Sequence, residues 1–222
     1  MALIGKNLAL ASVGIACQTA HQIELHHPMI SHLAGEDLEA HGTPFDWLLA
    51  PVSSVAQMIQ SNCFYPADIS ELSGTKQPYW PRMGVHFWHH KFDDPAQFSG
   101  WGEHVVATWQ RLREAKRKIF IISNMQNNIA AALMEAGRDR IETRLLWEEV
   151  FRLFAELARA FGEVELHVVT TDRRAIDLKT DAIQVPWASG RTPIKIHKFE
   201  EDPSKWVGNA AAWQKLFQEI VP

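Results

Sequence analysis

Cys17 is the residue of this sequence whose position is best suited to chemistry. An apolar run over residues 8–13 is typical of a buried strand, Gly14 breaks it, and residues 15–23 continue with helical spacing. A helix N-terminus presents unpaired N–H groups and a partial positive charge, and a thiol placed there has a lowered pKa. We therefore predict that Cys17 is a nucleophile, although a small core cysteine is the alternative at such a junction.

A nucleophilic cysteine needs a base within hydrogen-bonding reach, a group that orients the base, and N–H donors for an oxyanion. His89 and His90 are the candidate bases, because both follow a predicted strand. The turn over residues 14–18 offers the N–H donors. The candidates for the orienting carboxylate are Asp46, Asp94 and Asp172.

Ligands of open α/β sheets collect at the carboxyl ends of the strands. On the predicted strands, this rule brings residues 12–17, 89–92, 123–128 and 171–172 to one edge. We expect the substrate to be bound there by Ser12, Gly14, Gln18, Trp47 and Asn124.

Strands and helices alternate along the chain. The predicted strands cover 8–13, 84–89, 118–123, 163–170, 181–186 and 193–198. The predicted helices cover 15–23, the segment after Pro51, 101–118, 129–136, 143–161 and 209–220, whereas 27–43 and 62–83 are predicted to be irregular. This alternation indicates an α/β fold, a mainly parallel sheet with helices on both faces, in one domain over residues 1–222.

Composition narrows the class of protein. The 222 residues are 46% hydrophobic, the net charge is −4, and the basic residues are scattered, so no nucleic-acid partner is predicted. No run of about 18 apolar residues is long enough to cross a membrane. Lys6 and Asn7 interrupt the apolar N-terminus, which argues against a signal peptide. Two cysteines are typical of a reducing cytoplasm, where Cys17 stays free.

Two other readings use the unusual residue counts, nine Trp and eleven His. The first is a non-catalytic domain that binds a carbohydrate or protein partner through tryptophans placed in or beside loops. The second is a metal site, but the histidine spacings match no zinc motif, so we predict none. The candidate tryptophans of the first reading are Trp80, Trp88, Trp101 and Trp187.

Three motifs resemble those of a bacterial family of papain-like cysteine peptidases. They are residues 12–17 (SVGIAC), 44–47 (PFDW) and 87–92 (FWHHKF), and the closing segment 206–213 is also similar. The resemblance covers most of the chain in outline, and its specific motifs lie within residues 10–92. It implies a Cys17 nucleophile with His89 as its partner and Asp46 nearby. The family commonly has Asp after that histidine, where this chain has His90, which leaves the orienting carboxylate open.

A weaker similarity is to bacterial capsule-polysaccharide acyltransferases, which carry a Gly-Asn-Cys-Gln turn and bind coenzyme A. Here the turn reads Gly14-Ile-Ala-Cys17-Gln18, with one more residue between glycine and cysteine. The sequence thus predicts a cysteine-dependent hydrolase or acyltransferase that acts on an ester, thioester or amide. The substrate would be a small molecule, peptide or carbohydrate. No cofactor is expected for the hydrolase, and coenzyme A belongs to the acyltransferase alternative.

Overall fold

The structure is a computed structural model that describes residues 1–74, 77–90, 92, 94–129, 143–175, 187–200, 202 and 204–222. Its strands are β1 (Ala2–Ile4), β2 (Leu8–Ser12), β3 (Glu39–His41), β4 (Tyr79–Trp80), β5 (Val85–His86), β6 (Arg117–Ser123), β7 (Glu165–Thr170) and β8 (Ile194–Lys198). Its helices are α1 (Gln18–Leu25), α2 (His27–Ala34), α3 (Val52–Ser61), α4 (Pro95–Arg111), α5 (Trp147–Phe161) and α6 (Ala210–Ile220). Short 3₁₀ turns cover Ile69–Glu71, Leu112–Glu114 and Asp172–Arg174.

A six-stranded sheet forms the centre of the fold, in the order β3-β1-β2-β6-β7-β8. Strands β2, β6, β7 and β8 run parallel to their neighbours in that series. Strand β1 is antiparallel to both β2 and β3. The predicted α/β class with a mainly parallel sheet is therefore confirmed.

Helices cover both faces of the sheet, as predicted. Side chains alternate along β2 with period two, so Leu8 and Leu10 pack with the core of α1, α2 and α6. Ala9 and Ala11 point to the opposite face and pack with the core of α3, α4 and α5. A strand buried on both faces reads as a continuous apolar run, which is why β2 and β6 are visible in the sequence.

Local signals set several helix boundaries. Asp94 accepts a hydrogen bond from the N–H of Ala96 and caps α4, whose first residue is Pro95. This helix therefore begins before the predicted residue 101, and it ends before 118 because β6 starts at Arg117. Asn209 caps α6 in the same way through Ala211 and Ala212.

The N-terminal third holds the clearest departures from the predicted elements. Residues 27–43 are not irregular throughout, because α2 follows α1 directly, with proline in its first turn and left-handed Gly35 at its end, and β3 lies further along the segment. Strands β1 and β3 were not predicted, since three residues are too few for a periodic pattern. Apart from Ile129, the predicted helix over 129–136 lies outside the described residues, as does the whole predicted strand over 181–186.

Among the described helices, none combines the length and the apolar composition that crossing a membrane requires.

Candidate active site at the carboxyl edge of the sheet

The turn between β2 and α1 carries Cys17 at the carboxyl edge of the parallel strands. Gly14 has φ +94°, and a Cβ atom there would lie 2.7 Å from Cγ2 of Val55, so the close packing of α3 on this turn requires glycine. Ile15 has φ +64°, an unfavourable conformation for a β-branched residue. The turn is held by Val13, which donates to the Ile121 carbonyl. Such strain persists only where surrounding structure enforces it, and it is concentrated at functional sites.

The thiol of Cys17 is buried, and Gln126 is its side-chain hydrogen-bond partner within the described part of the chain. Its Sγ donates to Oε1 of Gln126, at 3.3 Å. The N–H of Gln18 donates to the same oxygen, at 3.0 Å. The Gln126 side-chain nitrogen donates in turn to Oδ1 of Asn128, at 2.7 Å. A carboxamide therefore lies between the thiol and the first N–H group of α1.

Burial raises the pKa of the Cys17 thiol, and this effect outweighs those of its hydrogen bonds with Gln126 and with a backbone N–H. The predicted lowering of this pKa is therefore wrong for the structure described. Desolvation disfavours the thiolate, and the N–H of Gln18 is directed at Gln126 rather than at the sulfur. The resting thiol is neutral.

Two glutamines on α1 bind the backbone of residues 206–208, a segment that comes much later in the chain. Gln18 donates through Nε2 to the Trp206 carbonyl at 2.7 Å, and Gln22 donates to the Val207 carbonyl at 2.6 Å. Gly208 has φ +79°, and a Cβ atom there would lie 2.9 Å from Nε2 of Gln18. This segment therefore covers the first turn of α1.

Several buried oxygens at this edge have no hydrogen-bond partner among the described residues. Buried polar groups are normally paired, so each such atom calls for an explanation. They lie at the ends of β2 and β7, just after β6, and in the first turns of α1. The atoms are Ser12 Oγ, Gln18 Oε1, Thr19 Oγ1, Gln22 Oε1, Asn124 Oδ1 and Thr170 Oγ1.

The two predicted bases lie outside the main sheet. The predicted strand over 84–89 is only Val85–His86, and it pairs with β4 in a separate hairpin. His89 is exposed at the surface, its ring lies 5.2 Å from that of Trp47, and partial desolvation of the ring lowers its pKa. His89 therefore does not lie at the end of a strand of the main sheet.

His90 lies in an aromatic cluster formed by Phe87, Phe92 and Trp101. Burial and the neighbouring His89 lower its pKa to about 4. The ring stacks on Phe92 at 5.3 Å. These surroundings are those of a neutral, packed imidazole.

Residues 49–50 connect the hairpin of β4 and β5 to the turn that carries Cys17. Leu49 exchanges backbone hydrogen bonds with His86, and Ala50 donates to the Ile15 carbonyl at 3.1 Å. Trp47, just before this segment, is half-buried with φ +61°. The hairpin and the Cys17 turn thus share one backbone connection, while the hydrogen bond of the thiol goes to Gln126 and not to a histidine.

The Asp46 carboxylate is buried and binds its own turn. It accepts from the N–H of Thr43 at 2.6 Å and from the Thr43 hydroxyl at 2.8 Å, and it contacts the amino group of Met1. Asp94 caps α4, and Asp172 pairs with Lys198 at 2.8 Å. Among the described residues, none of the partners of these three carboxylates is a histidine.

The sequence interpretation assigned neither Gln126, which contacts the thiol, nor His21, which lies on the same helix as Cys17, to catalysis. Gln126 lies in the polar turn after β6, where the prediction singled out Asn124. His21 follows Cys17 by one helical turn and donates its N–H to the Cys17 carbonyl, so the two side chains lie on the same side of α1. The spacing Cys-x-x-x-His on a predicted helix was the available signal for His21.

The structure also bears on the two alternative hypotheses, a binding groove lined by tryptophans and a metal site. Trp80, a candidate for an exposed binding groove, is fully buried, and the three other candidates are half-buried. Both cysteines are free. Within the described ranges, no group of three or more His, Cys, Asp or Glu side chains is placed to hold a metal ion. A surface cleft of about 590 Å³ lies at Cys63, Arg82 and Phe98, which are not among the predicted site residues.

Comparisons with known proteins give no relative for this geometry. The chain matches no protein-family model, no curated protein and no solved structure. Function is therefore inferred from the residues at the carboxyl edge of the sheet.

Proposed function

We propose that the protein is a cysteine-dependent enzyme, a hydrolase or acyltransferase, in which Cys17 attacks the acyl carbon of an ester, thioester or amide. The contact that supports this proposal is the position of the Gln126 oxygen. It lies 3.3 Å from the Cys17 sulfur and 3.0 Å from the Gln18 nitrogen. A substrate oxygen must occupy such a position, because the N–H after the nucleophile is a common oxyanion donor.

The reaction has two steps. The Cys17 sulfur bonds to the acyl carbon while the carbonyl oxygen takes the electron pair and accepts from the Gln18 N–H. The electron pair on that oxygen then re-forms the carbonyl double bond, and the bond between the acyl carbon and the leaving group breaks. A base takes the thiol proton and passes it to the leaving group. Water then attacks the thioester in a hydrolase, or an acceptor alcohol does so in an acyltransferase, and the thiol is restored.

A base is required because the resting thiol is neutral. His21 is the base we propose, since α1 carries it on the same side as Cys17. Its ring also lies 5.2 Å from that of Trp206, in the segment that covers α1. His89 is the alternative base, as the resemblance to the peptidase family implies.

Acylation by p-nitrophenyl acetate tests the nucleophile. We expect a burst of nitrophenolate equal to the protein concentration and the mass of one acetyl group on the peptide that contains Cys17. Cys17→Ser should abolish both signals, and Cys63→Ser, which removes the other free thiol, should leave them unchanged. Acetylation confined to Cys63, or none at all, would contradict the proposal.

The same burst distinguishes the two bases. His21→Ala should slow acylation by about 10²-fold if His21 takes the thiol proton, and His89→Ala serves as the matched control. The opposite ranking would assign the role to His89. Acetyl coenzyme A used in place of the nitrophenyl ester tests the acyltransferase form, since only that form transfers its acetyl group to an added alcohol.

A further inference from the structure

We propose that the surface cleft beside α4 binds a small zwitterion with an apolar body, such as an apolar amino acid. The cleft has a volume of about 590 Å³, which lies in the range of small-molecule sites. It lies between residues 62–69, which follow α3, and α4, and Arg82 is also part of its lining. None of these residues takes part in the reaction proposed for Cys17, so this second site stands independently of that reaction.

Aromatic side chains form the apolar part of the cleft. Tyr65 and Phe98 pack edge to face, with their ring centroids 5.9 Å apart. A Cβ atom on Gly102 would lie 2.5 Å from Cε2 of Tyr65, so the tyrosine ring packs directly on the backbone of α4. Val106, one helical turn further along, is half-buried in the same lining. Because these walls are held by packing, an apolar group can bind to them without ordering the protein first.

Two opposite charges line the same cleft without pairing with each other. Arg82 and Asp68 are both exposed, and both contribute to the lining. Within the described part of the chain, the Arg82 guanidinium makes no hydrogen bond and no ion pair. The Asp68 carboxylate accepts from the N–H of Ser70 at 2.8 Å, a neutral partner. Both charges are therefore available to a ligand.

The turn that follows Asp68 fixes its carboxylate in place. Asp68 caps the 3₁₀ turn Ile69–Glu71 and forms a capping box with Glu71. The Glu71 carboxylate accepts from the N–H of Ala67 at 2.9 Å and from the indole of Trp80 at 3.4 Å. Glu71 is thus engaged within the protein, and Asp68 is the carboxylate that faces the cleft.

A ligand that uses both charges must carry a carboxylate and an ammonium group. The planar guanidinium of Arg82 matches a carboxylate, to which it can donate two parallel hydrogen bonds. The Asp68 carboxylate matches the ammonium group. Exposed ion pairs each contribute little, so the apolar body, packed on the aromatic walls, supplies the remaining affinity.

The thiol of Cys63 reports whether the cleft is occupied. Cys63 is half-buried in the lining, and its Sγ lies 3.8 Å from the carbonyl oxygen of Tyr65. At about 10 mM, a concentration suited to weak binding, L-phenylalanine should slow iodoacetamide labelling of Cys63 about threefold or more. Cys17 is the reference in the same molecule, and its labelling rate should not change. Unprotected Cys63 would overturn the proposal.

Two analogues test whether both charges are needed. Hydrocinnamate has the same apolar group and carboxylate but no ammonium group, and phenethylamine has no carboxylate. Each should require a concentration about fivefold higher than phenylalanine for half protection of Cys63, because each loses one exposed ion pair. An analogue that protects Cys63 as well as phenylalanine does would contradict a site for a zwitterion.

Two variants assign each charge to its partner. Arg82→Gln should raise the half-protecting concentration of phenylalanine about fivefold and leave that of phenethylamine unchanged. Asp68→Asn, which retains a good capping residue, should weaken phenylalanine by the same factor and leave hydrocinnamate unchanged. Concentrations are compared rather than labelling rates, because the charge of Arg82 also acts on the Cys63 thiol.

The matched control is Arg113→Gln, which removes an exposed arginine that does not line the cleft. It should leave the half-protecting concentrations of all three compounds unchanged. If Arg82→Gln and Asp68→Asn behave like this control, or if either weakens all three compounds equally, the assignment of a zwitterion to this cleft is wrong.

Discussion

The two edges of the central sheet bury different kinds of polar side chain. At the edge where β6 and β7 begin, charged side chains are paired with one another and with backbone carbonyls at the end of α6. At the edge where these strands end, neutral side chains surround Cys17 and several buried oxygens are unpaired. Buried ion pairs with several hydrogen bonds stabilise one structure, whereas neutral groups without a partner are available to bind a ligand. We therefore infer that the edge where β6 and β7 begin stabilises the fold, and that the edge where they end holds the functional site.

Arg117 is the centre of the edge at the strand starts. Two of its nitrogens donate to the Glu165 carboxylate at 2.6 and 2.9 Å, and it also donates to the carbonyls of Ile220 and Val221 at 2.7 and 2.6 Å. Burial alone would raise the pKa of Glu165, but the bonds from Arg117 and the nearby ring of His167, whose Nε2 lies 3.8 Å from the carboxylate, lower it to about 2. This cluster ties β6, β7 and the end of α6 together.

The largest expected effect comes from breaking that ion pair. Arg117→Met should lower the free energy of unfolding by about 3 kcal/mol, because it removes the main partner of the buried Glu165 carboxylate, which keeps Arg191 at 3.4 Å. Urea denaturation measures the change. The double variant Arg117→Met with Glu165→Leu should regain part of the loss. Gln126→Ala, at the other edge, should cost less than about 1.5 kcal/mol, and an equal loss at both edges would contradict the comparison.

The second effect is a dependence of stability on pH at a pair of buried histidines. Nδ1 of His167 lies 2.9 Å from Nε2 of His197. Burial and the neighbouring His167 lower the pKa of His197 to about 3. The charged and titratable groups around this pair are Arg117, Glu165, Lys195 and Glu219.

The folded state binds a proton at His197 more weakly than the unfolded state does. The contribution of neutral His197 to the free energy of unfolding is therefore complete above about pH 6.5. It is lost as the pH falls toward 3. Between pH 7 and 4, we expect His197 to account for on the order of 2 kcal/mol of the acid destabilisation. His197→Gln keeps a hydrogen-bonding group for His167 but takes up no proton, so urea unfolding at the two pH values should show a smaller difference. An unchanged difference would remove His197 from this role.

The third effect concerns the pH dependence of the Cys17 thiol. Because burial raises the pKa of the thiol and shields the sulfur, alkylation of Cys17 in the wild-type protein at pH 7 should be slower than that of free cysteine. The rate should still be rising at pH 9. Labelling faster than free cysteine at pH 7 would show a stabilised thiolate in the resting state and would contradict a neutral thiol held by Gln126.

The smallest effect comes from removing unpaired hydroxyl groups. Ser12→Ala and Thr170→Val each delete a buried hydroxyl that has no partner among the described residues. Each should change the free energy of unfolding by less than about 0.5 kcal/mol or increase it, because no hydrogen bond is lost. The control is Thr43→Val, whose hydroxyl donates to Asp46 at 2.8 Å. A loss as large as the control's would show that the hydroxyls are paired after all.

The sequence predicts the parallel strands well and the site only in part. Apolar runs and alternation identify β2, β6 and β7, because these strands are buried on both faces. The same rule correctly brings Ser12 and Asn124 to the edge that holds Cys17. The pattern cannot show that α1 lies deep enough for burial to raise the pKa of the thiol.

The histidines show a second limit of sequence reasoning. His89 follows an apolar stretch that resembles a strand of the main sheet, but that stretch forms a two-residue strand in a separate hairpin. Sheet membership depends on pairing over long separations, which local propensity does not encode. The contact between Cys17 and Gln126 spans 109 positions and is likewise invisible in the sequence.

The most direct test of the account is a crystal structure of the protein after iodoacetamide has alkylated Cys17. We expect the carbonyl oxygen of the adduct to accept from the Gln18 N–H, its NH₂ group to donate to Asn128, and the Gln126 side chain to have moved away. An adduct directed elsewhere, with Gln126 still bound to Gln18, would contradict a substrate site at this edge of the sheet.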